Sequence, residues 1–169
     1  MRITATIALC GLIALPVQAA ELKLEVQIPQ LNVAEYHRPY VAIWVEGIDQ
    51  TARANLAVWY QQKANAEGAG TKWLPDLRQW WRRSGRNLKV PVDGVTGPTR
   101  PAGRHALNFD EQHPELKHLP AGDYVLVVEA VREVGGRELL RIPFKWHDAS
   151  TGGAQGKSEL GRVSLTSTR

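Results

Sequence analysis

The sequence contains a single cysteine and a single methionine among its 169 residues. Cys10 and Met1 both lie in the first twenty residues, so the rest of the chain offers no disulfide and no thiolate for nucleophilic catalysis or metal binding. A Gly-x-Ser-x-Gly motif, a zinc-protease helix motif and a phosphate-binding glycine-rich loop are all missing. These absences indicate a protein without a catalytic constellation of its own.

The first twenty residues have instead the pattern of a secretory signal peptide. Arg2 precedes an apolar run over residues 3–17, and the small residues Ala19 and Ala20 suit cleavage after either of them. A single arginine before the run excludes a twin-arginine signal. We therefore expect a signal peptide over 1–20 and export to the periplasm by the general secretory route.

Two other forms of membrane attachment are disfavoured. Leu9 precedes Cys10 at the position where a lipoprotein signal needs a small residue. No second apolar stretch is long enough to span a bilayer.

With 43% hydrophobic and 22% charged residues and a net charge of +4, the composition also excludes collagen-like, disordered and multi-span membrane proteins. We expect one domain over 21–169, without a membrane span.

The apolar residues of this mature chain recur with a period of two. Leu22, Leu24, Val26 and Ile28 alternate with polar residues, which is typical of a half-buried strand. Seven similar runs follow, at 41–45, 56–60, 88–92, 105–109, 124–131, 139–146 and 163–165. Glycine-containing turn signals separate them, at 47, 67–70, 93–94, 101–103, 120–122, 135–136 and 152–153. The spacing predicts an all-β fold, an antiparallel β-sandwich of about seven to eight strands.

One segment has helical instead of alternating periodicity. Trp73, Leu77, Trp80, Trp81 and Ser84 recur at helical spacing, from a start near Pro75-Asp76 to a stop at Gly85. We predict a short helix over about 73–84, inserted between strands, with its tryptophans and leucine packed against the sandwich.

The same segment concentrates the positive charge. Residues 72–89 hold six cations and one acid, and the arginines are Arg78, Arg82, Arg83 and Arg86. Two interpretations remain open: a solvated helix face, or an anion site for a flavin phosphate, an acidic partner or a phospholipid surface. Nucleic acid is disfavoured, because the protein is exported and no aromatic platform is interleaved with the arginines.

A second candidate site is the loop Asp93-Gly94-Val95-Thr96-Gly97-Pro98-Thr99. Asp-Gly and Gly-Pro are turn formers, so a structural turn is one interpretation. The loop also resembles the motif at which extracytoplasmic flavin transferases attach FMN to a threonine by a phosphoester bond. That resemblance assigns Asp93, Thr96 and Gly97 to motif positions and makes Thr99 the acceptor, while Pro98 replaces the usual alanine.

Residues 110–118 hold two histidines and three acids, His113 and His118 with Asp110, Glu111 and Glu115. Metal ligation is one interpretation of this cluster. A polar hairpin loop between two strands explains the same residues without a metal, and we favour it. We therefore predict no metal site.

Longer stretches carry a wider resemblance. They lie at 73, 80–83, 93–103, 119–124 and 129–138, and they resemble an uncharacterised bacterial family of predicted periplasmic proteins, domain of unknown function 2271. The stretch Pro120-Ala121-Gly122-Asp123-Tyr124 is also similar to the immunoglobulin-like domain of flagellar hook-capping proteins, which implies an immunoglobulin-like sandwich.

The family resemblance implies a periplasmic flavin system. Its members occur beside PepSY-type membrane proteins and flavin transferases, which are then the expected partners. The leading hypothesis is an accessory electron carrier with FMN covalently bound at Thr99. The alternative is a non-enzymatic protein- or envelope-binding module without a cofactor.

Carbohydrate binding is a lesser hypothesis, suggested by six tryptophans and four tyrosines. Trp44, Trp59 and Trp146 fall within apolar strand runs, so we expect the core to contain them.

Overall fold

The computed structural model describes residues 19–66 and 68–169, so almost all of the predicted signal peptide lies outside the described residues. The described chain forms nine strands: β1 (Glu21–Ile28), β2 (Tyr40–Gly47), β3 (Ala52–Trp59), β4 (Thr96–Gly97), β5 (Gly103–Asp110), β6 (Gly122–Val131), β7 (Arg137–Trp146), β8 (Ser150–Gln155) and β9 (Arg162–Ser167). Between β3 and β4 lies a helical insert. It consists of a 3₁₀ helix (Gly70–Asp76), the α-helix α1 (Arg78–Arg83) and a 3₁₀ turn (Gly85–Asn87).

The strands form two sheets packed as an open β-sandwich. One sheet has four strands in the order β5-β1-β9-β8, and the other has five in the order β4-β3-β2-β6-β7. Neighbouring strands are antiparallel except β4, which runs parallel to β3. The predicted all-β sandwich with one inserted helix is therefore confirmed.

Strand β1 shows how the alternating pattern specifies the core. Leu22, Leu24, Val26 and Ile28 are at most 3% exposed and point between the sheets, as predicted. The facing sheet contributes a matching inner layer from β2, β3, β6 and β7, which includes Ile43, Val45, Leu56, Leu126, Val128, Ile142 and Phe144.

The five-stranded sheet is buried on its outer face as well. Ala42, Trp44, Val58 and Val127 form an outer layer that the insert covers with Leu74, Leu77 and Trp80, all at most 2% exposed. Trp81 is partly buried against the same cluster. Trp44, Trp59 and Trp146 are buried too, so the core placement expected for these tryptophans is confirmed.

A buried carboxylate fixes the insert to this sheet. Glu129 of β6 is fully buried and accepts the backbone N–H groups of Gln79 at 3.1 Å and Trp80 at 2.8 Å. These N–H groups belong to the first turn of α1, which has no hydrogen-bonding side-chain cap at Leu77. Arg137 Nε donates to the same carboxylate at 2.6 Å. Glu129 thus supplies the acceptor and the negative charge that a helix N-terminus favours.

A second buried carboxylate lies under the end of α1. Glu46 of β2 accepts Trp44 Nε1 at 2.9 Å and Arg141 Nη2 at 2.7 Å, and Arg83 Nε lies 3.7 Å away. The two arginines compensate a charge that would be costly to bury alone.

Helical structure begins and ends differently from the prediction. Only Arg78–Arg83 is α-helical, because Pro75 lies inside the preceding 3₁₀ helix and Gly85 follows α1. A Cβ atom on Gly85 would lie 2.6 Å from the Trp80 ring, so this residue is small to let the ring pack against the backbone.

The predicted strand at 88–92 is wrong. Leu88, Val90 and Val92 do alternate in burial, and they pack against the outer cluster beneath the insert. The edge of the five-stranded sheet is taken by β4, which pairs with Val58 and Trp59, so residues 88–92 have no strand beside them. Alternating burial alone therefore does not make a strand.

The turn predicted at 152–153 is also wrong, because both glycines lie within β8. A Cβ atom on Gly152 would lie 2.6 Å from the Ile142 side chain, and one on Gly153 would lie 3.1 Å from the Val163 carbonyl oxygen. These glycines allow close packing of the edge strand.

The predicted hairpin at 110–118 is a connection between the sheets, because β5 belongs to one sheet and β6 to the other. Its backbone forms turns around His113, whose carbonyl accepts the N–H groups of Leu116 and Lys117. Glu115 accepts the Asn55 N–H at 3.0 Å, and the His113 ring packs edge-on against Phe109.

We expect Glu129→Gln to lower the free energy of unfolding by about 2–4 kcal/mol, because it removes the buried charge that the α1 N-terminus and Arg137 share. Urea unfolding monitored by tryptophan fluorescence measures this loss. Glu25→Gln is the control: its ion pair with Arg104 spans 3.6 Å and is exposed, so it should cost less than about 1 kcal/mol. Equal losses in the two variants would contradict the anchoring role.

Glu138 makes stability depend on pH. Burial raises its pKa, but the backbone N–H groups of Leu160, Lys157 and Ser158 outweigh burial and hold the pKa below its ordinary value of 4.5. A carboxyl whose pKa is lower in the folded state stabilises the fold above its unfolded pKa and loses this contribution as the pH falls through the folded one.

Glu138→Gln should therefore reduce the free energy of unfolding by about 1–2 kcal/mol at pH 7. The difference in free energy of unfolding between the wild type and this variant should shrink as the pH falls from 5 towards 3. Urea midpoints at pH 7, 5 and 3 measure it, and a difference that stays constant over this range would exclude the role of the charge.

Candidate functional site

The loop at 93–99 is partly a structural turn. Gly94 has φ of +75°, a conformation that favours glycine, and Val95 inserts its side chain into the outer cluster. Thr96 and Gly97 then form β4. The backbone of Val95 and Gly97 accepts N–H groups from Val58 and Tyr60 at 2.8 and 3.0 Å. The loop is therefore held firmly at the edge of the five-stranded sheet.

Among the four predicted motif residues, Thr96 has a role in the fold. Its hydroxyl donates to the Val92 carbonyl at 2.9 Å and accepts the Val92 N–H at 3.0 Å, which closes the loop. Gly97 is not required by packing, because a Cβ there would make only ordinary contact, 3.5 Å from Trp59, and its φ is not in the left-handed region.

Asp93 and Thr99 have no visible role in the fold. Asp93 is exposed, and neither its carboxylate nor the Thr99 hydroxyl hydrogen-bonds to any part of the chain that the structure describes. Asp93 therefore does not orient the Thr99 hydroxyl here. Thr99 is half-buried and follows the exposed Pro98.

Thr99 lies in the wall of a cleft of about 550 Å³. The segment before β2, the start of the insert and the turn after β6 form the other walls. The lining residues are Tyr36, His37, Arg38, Tyr40, Gln61, Trp73, Asp76, Thr99, Val131, Arg132, Glu133 and Val134. The cleft thus combines three aromatic rings with cationic, acidic and apolar side chains.

Arg132 and Tyr36, which both line the cleft, each have a buried polar atom without a hydrogen-bond partner in the described chain. Arg132 is 8% exposed and binds Glu159 through Nε at 2.9 Å and Nη2 at 3.2 Å, while its Nη1 has no partner in the described chain. The Tyr36 hydroxyl is likewise buried and without a partner there. Glu159 also accepts the Gly136 N–H at 2.8 Å, so the arginine is held by a rigid carboxylate.

Two further polar residues of the cleft, Tyr40 and His37, are paired. Tyr40 donates its hydroxyl to the Gly70 carbonyl at 3.2 Å, and burial raises the pKa of this phenol, which keeps it neutral at physiological pH. His37 contacts Glu35 at 2.8 Å and Glu133 at 3.5 Å. Lys72 Nζ lies 4.6 Å from the centroid of the Trp73 ring, over one of its faces.

None of the four arginines of the predicted basic patch lines the cleft. Arg83 donates to Gln50 and faces the buried Glu46, so it belongs to the fold. Arg82 donates to Gln79 within α1, and Arg78 and Arg86 are exposed. The cations of the cleft are Arg38 and Arg132 instead.

No group of three or more His, Cys, Asp or Glu residues in the described ranges could hold a metal ion. Likewise, no helix within those ranges is long and apolar enough to cross a membrane.

Sequence reasoning missed most of the cleft. Tyr36, His37 and Arg38 lie outside any strand. The sequence marks Arg132 only as one residue of the stretch 129–138, which resembles the family. One signal could have found the first wall: polar and aromatic residues crowd around Pro39 just before a strand. Nothing in the sequence joins this wall to Thr99, some sixty residues later.

Comparison with known proteins identifies a family but no close relative. No curated protein and no solved structure matches the chain, so the expected similarity to the hook-capping immunoglobulin-like domain has no support. A family model described as predicted periplasmic protein matches residues 21–162, which include all strands from β1 to β8 and every residue of the cleft. The protein is therefore a periplasmic β-sandwich that belongs to the family of predicted periplasmic proteins DUF2271.

Proposed function

We propose that this periplasmic protein carries FMN on Thr99 through a phosphoester bond and serves as an electron carrier. The observation that supports this most is the position of Thr99: its hydroxyl has no hydrogen-bond partner in the described chain and lies at the wall of an aromatic and cationic cleft. An acceptor hydroxyl must be free of internal hydrogen bonds, and the Thr99 hydroxyl has none in the described chain.

The neighbouring motif residues agree with this proposal. Gly97 has no packing or conformational role. Because it has no side chain, a modifying enzyme could approach the backbone closely at this position. Asp93 is exposed and unpaired with the described residues, and is therefore free to contact that enzyme. Thr96 instead holds the loop in shape.

The cleft fits a flavin in size and chemistry. Its volume of about 550 Å³ lies within the range of about 300–1,000 Å³ that small-ligand sites occupy. Tyr36, Tyr40 and Trp73 offer flat apolar surfaces, and the exposed Arg38 offers positive charge for an anionic group. Bound FMN would supply redox chemistry, for which the protein's own side chains provide position and charge.

Partners follow from this proposal. A flavin transferase would form the bond between the Thr99 hydroxyl oxygen and the flavin phosphate by breaking the phosphoanhydride bond of a flavin adenine dinucleotide, which releases AMP and the hydroxyl proton. A PepSY-type membrane protein would exchange electrons with the carrier. The exposed Arg78, Arg82 and Arg86 lie outside the cleft, so they remain accessible to such a partner when the cleft is occupied.

The test is the intact mass of the mature protein, isolated from the periplasm of cells that also express a flavin transferase. The wild type should gain the mass of one FMN minus water, and Thr99→Ala should lose this gain completely. Thr99→Ser should retain part of it, because the hydroxyl remains. Thr151→Ala, an exposed threonine on β8, is the matched control and should be modified like the wild type.

An unmodified wild type, beside a control substrate that the same transferase does modify, would refute the proposal. The exposed arginines of the insert favour the second candidate function in that case, a cofactor-free module that binds a protein or envelope partner through this surface.

A further inference from the structure

We propose that the cleft beside Thr99 binds the isoalloxazine ring itself, with Trp73, Tyr36 and Val134 as contact surfaces and Arg132 and Tyr36 as hydrogen-bond donors. The identity of the ligand rests on the proposed function. The location of the ring is a separate claim, because a flavin attached to the half-buried Thr99 at the cleft wall could equally extend into solvent.

Trp73 differs from the other tryptophans of the chain. Trp44, Trp59, Trp80 and Trp146 are at most 3% exposed, and Trp81 is partly buried against the outer cluster, whereas Trp73 is 39% exposed and lines the cleft. An indole that the fold leaves open is available for stacking on a planar ligand. The Lys72 ammonium covers one face of the ring, which leaves the other face for such a contact.

Arg132 and Tyr36 each have an unpaired hydrogen-bond donor. A buried donor without an acceptor destabilises the fold, so a ligand that brings an acceptor within reach of it is favoured. Arg132 Nη1 and the Tyr36 hydroxyl are such groups, in residues that line the cleft. Both atoms are buried, so each side chain must shift to donate to a ring bound there. The pyrimidine edge of an isoalloxazine ring carries carbonyl oxygens and ring nitrogens that accept hydrogen bonds, which matches these donors.

Val134 gives an independent indication. It has φ of +51° and is 77% exposed at the rim of the cleft, in the turn between β6 and β7. A β-branched residue is strained in this conformation, and asparagine or glycine would be better tolerated. The fold gains nothing from an exposed valine here, whereas a ring in the cleft would gain an apolar contact.

The first measurement is the emission of the attached flavin in protein from the transferase cells. Contact with tryptophan or tyrosine quenches flavin fluorescence by electron transfer, so the attached flavin should be much dimmer than free FMN and recover in urea. Trp73→Leu and Val134→Asn should be brighter at an unchanged mass gain. Ile48→Asn, another exposed apolar residue outside this cleft, should stay as dim as the wild type.

The second measurement uses unmodified protein and riboflavin, which lacks the phosphate. Titration should quench riboflavin emission saturably, and Trp73→Leu should weaken this binding about tenfold, equivalent to about 1.4 kcal/mol. Val134→Asn is informative because it should unfold at the same or a higher urea concentration than the wild type, so weaker binding would not reflect misfolding.

The outcomes separate the two proposals. A mass gain with emission equal to that of free FMN, and no binding of riboflavin, would refute the ring site while leaving attachment at Thr99 intact. No mass gain, but riboflavin binding that Trp73→Leu weakens, would support the ring site and refute attachment. Quenching that is unchanged in Trp73→Leu and Val134→Asn would also overturn the ring site.

Discussion

The buried carboxylate of Glu129 is the interaction on which the arrangement outside the sandwich depends. It accepts the first N–H groups of α1 and an Arg137 guanidinium from the neighbouring strand, so it joins the insert to two strands of the five-stranded sheet. A buried charge of this kind is stable only when its partners are all present. The insert is thereby held in one position over the outer face of the sheet.

That position creates the cleft. The same insert that buries Leu77 and Trp80 on the sheet carries Trp73 to the cleft wall, and Tyr40 ties its first residue, Gly70, to β2. Arg132 is held in turn by Glu159, a residue of the other sheet's final loop. Two ion pairs in the described chain thus set the walls of a cleft whose third side is Thr99 at the edge of the sheet.

Attachment at Thr99 and a ring in the cleft fit one physical scheme. In the proposed carrier, a covalent bond would keep the cofactor attached without a catalytic constellation, on a loop that β4 already holds in place. The open Trp73, the unsatisfied Arg132 Nη1 and the strained Val134 are features that the fold alone leaves unexplained. A ligand that stacks, accepts hydrogen bonds and covers the rim would account for all three.

Alternation such as Leu22 to Ile28 was sufficient to predict the sandwich, because it states directly which side chains are buried. The local motif marked Thr99 as a candidate site. Prediction of strands and turns from the sequence failed at 88–92 and in β8, because strand pairing and close packing there depend on neighbours distant in the chain. The cleft could be recognised only from the tertiary structure. Tyr36, Trp73 and Arg132 come from three separate segments, and no local periodicity encodes their meeting beside Thr99.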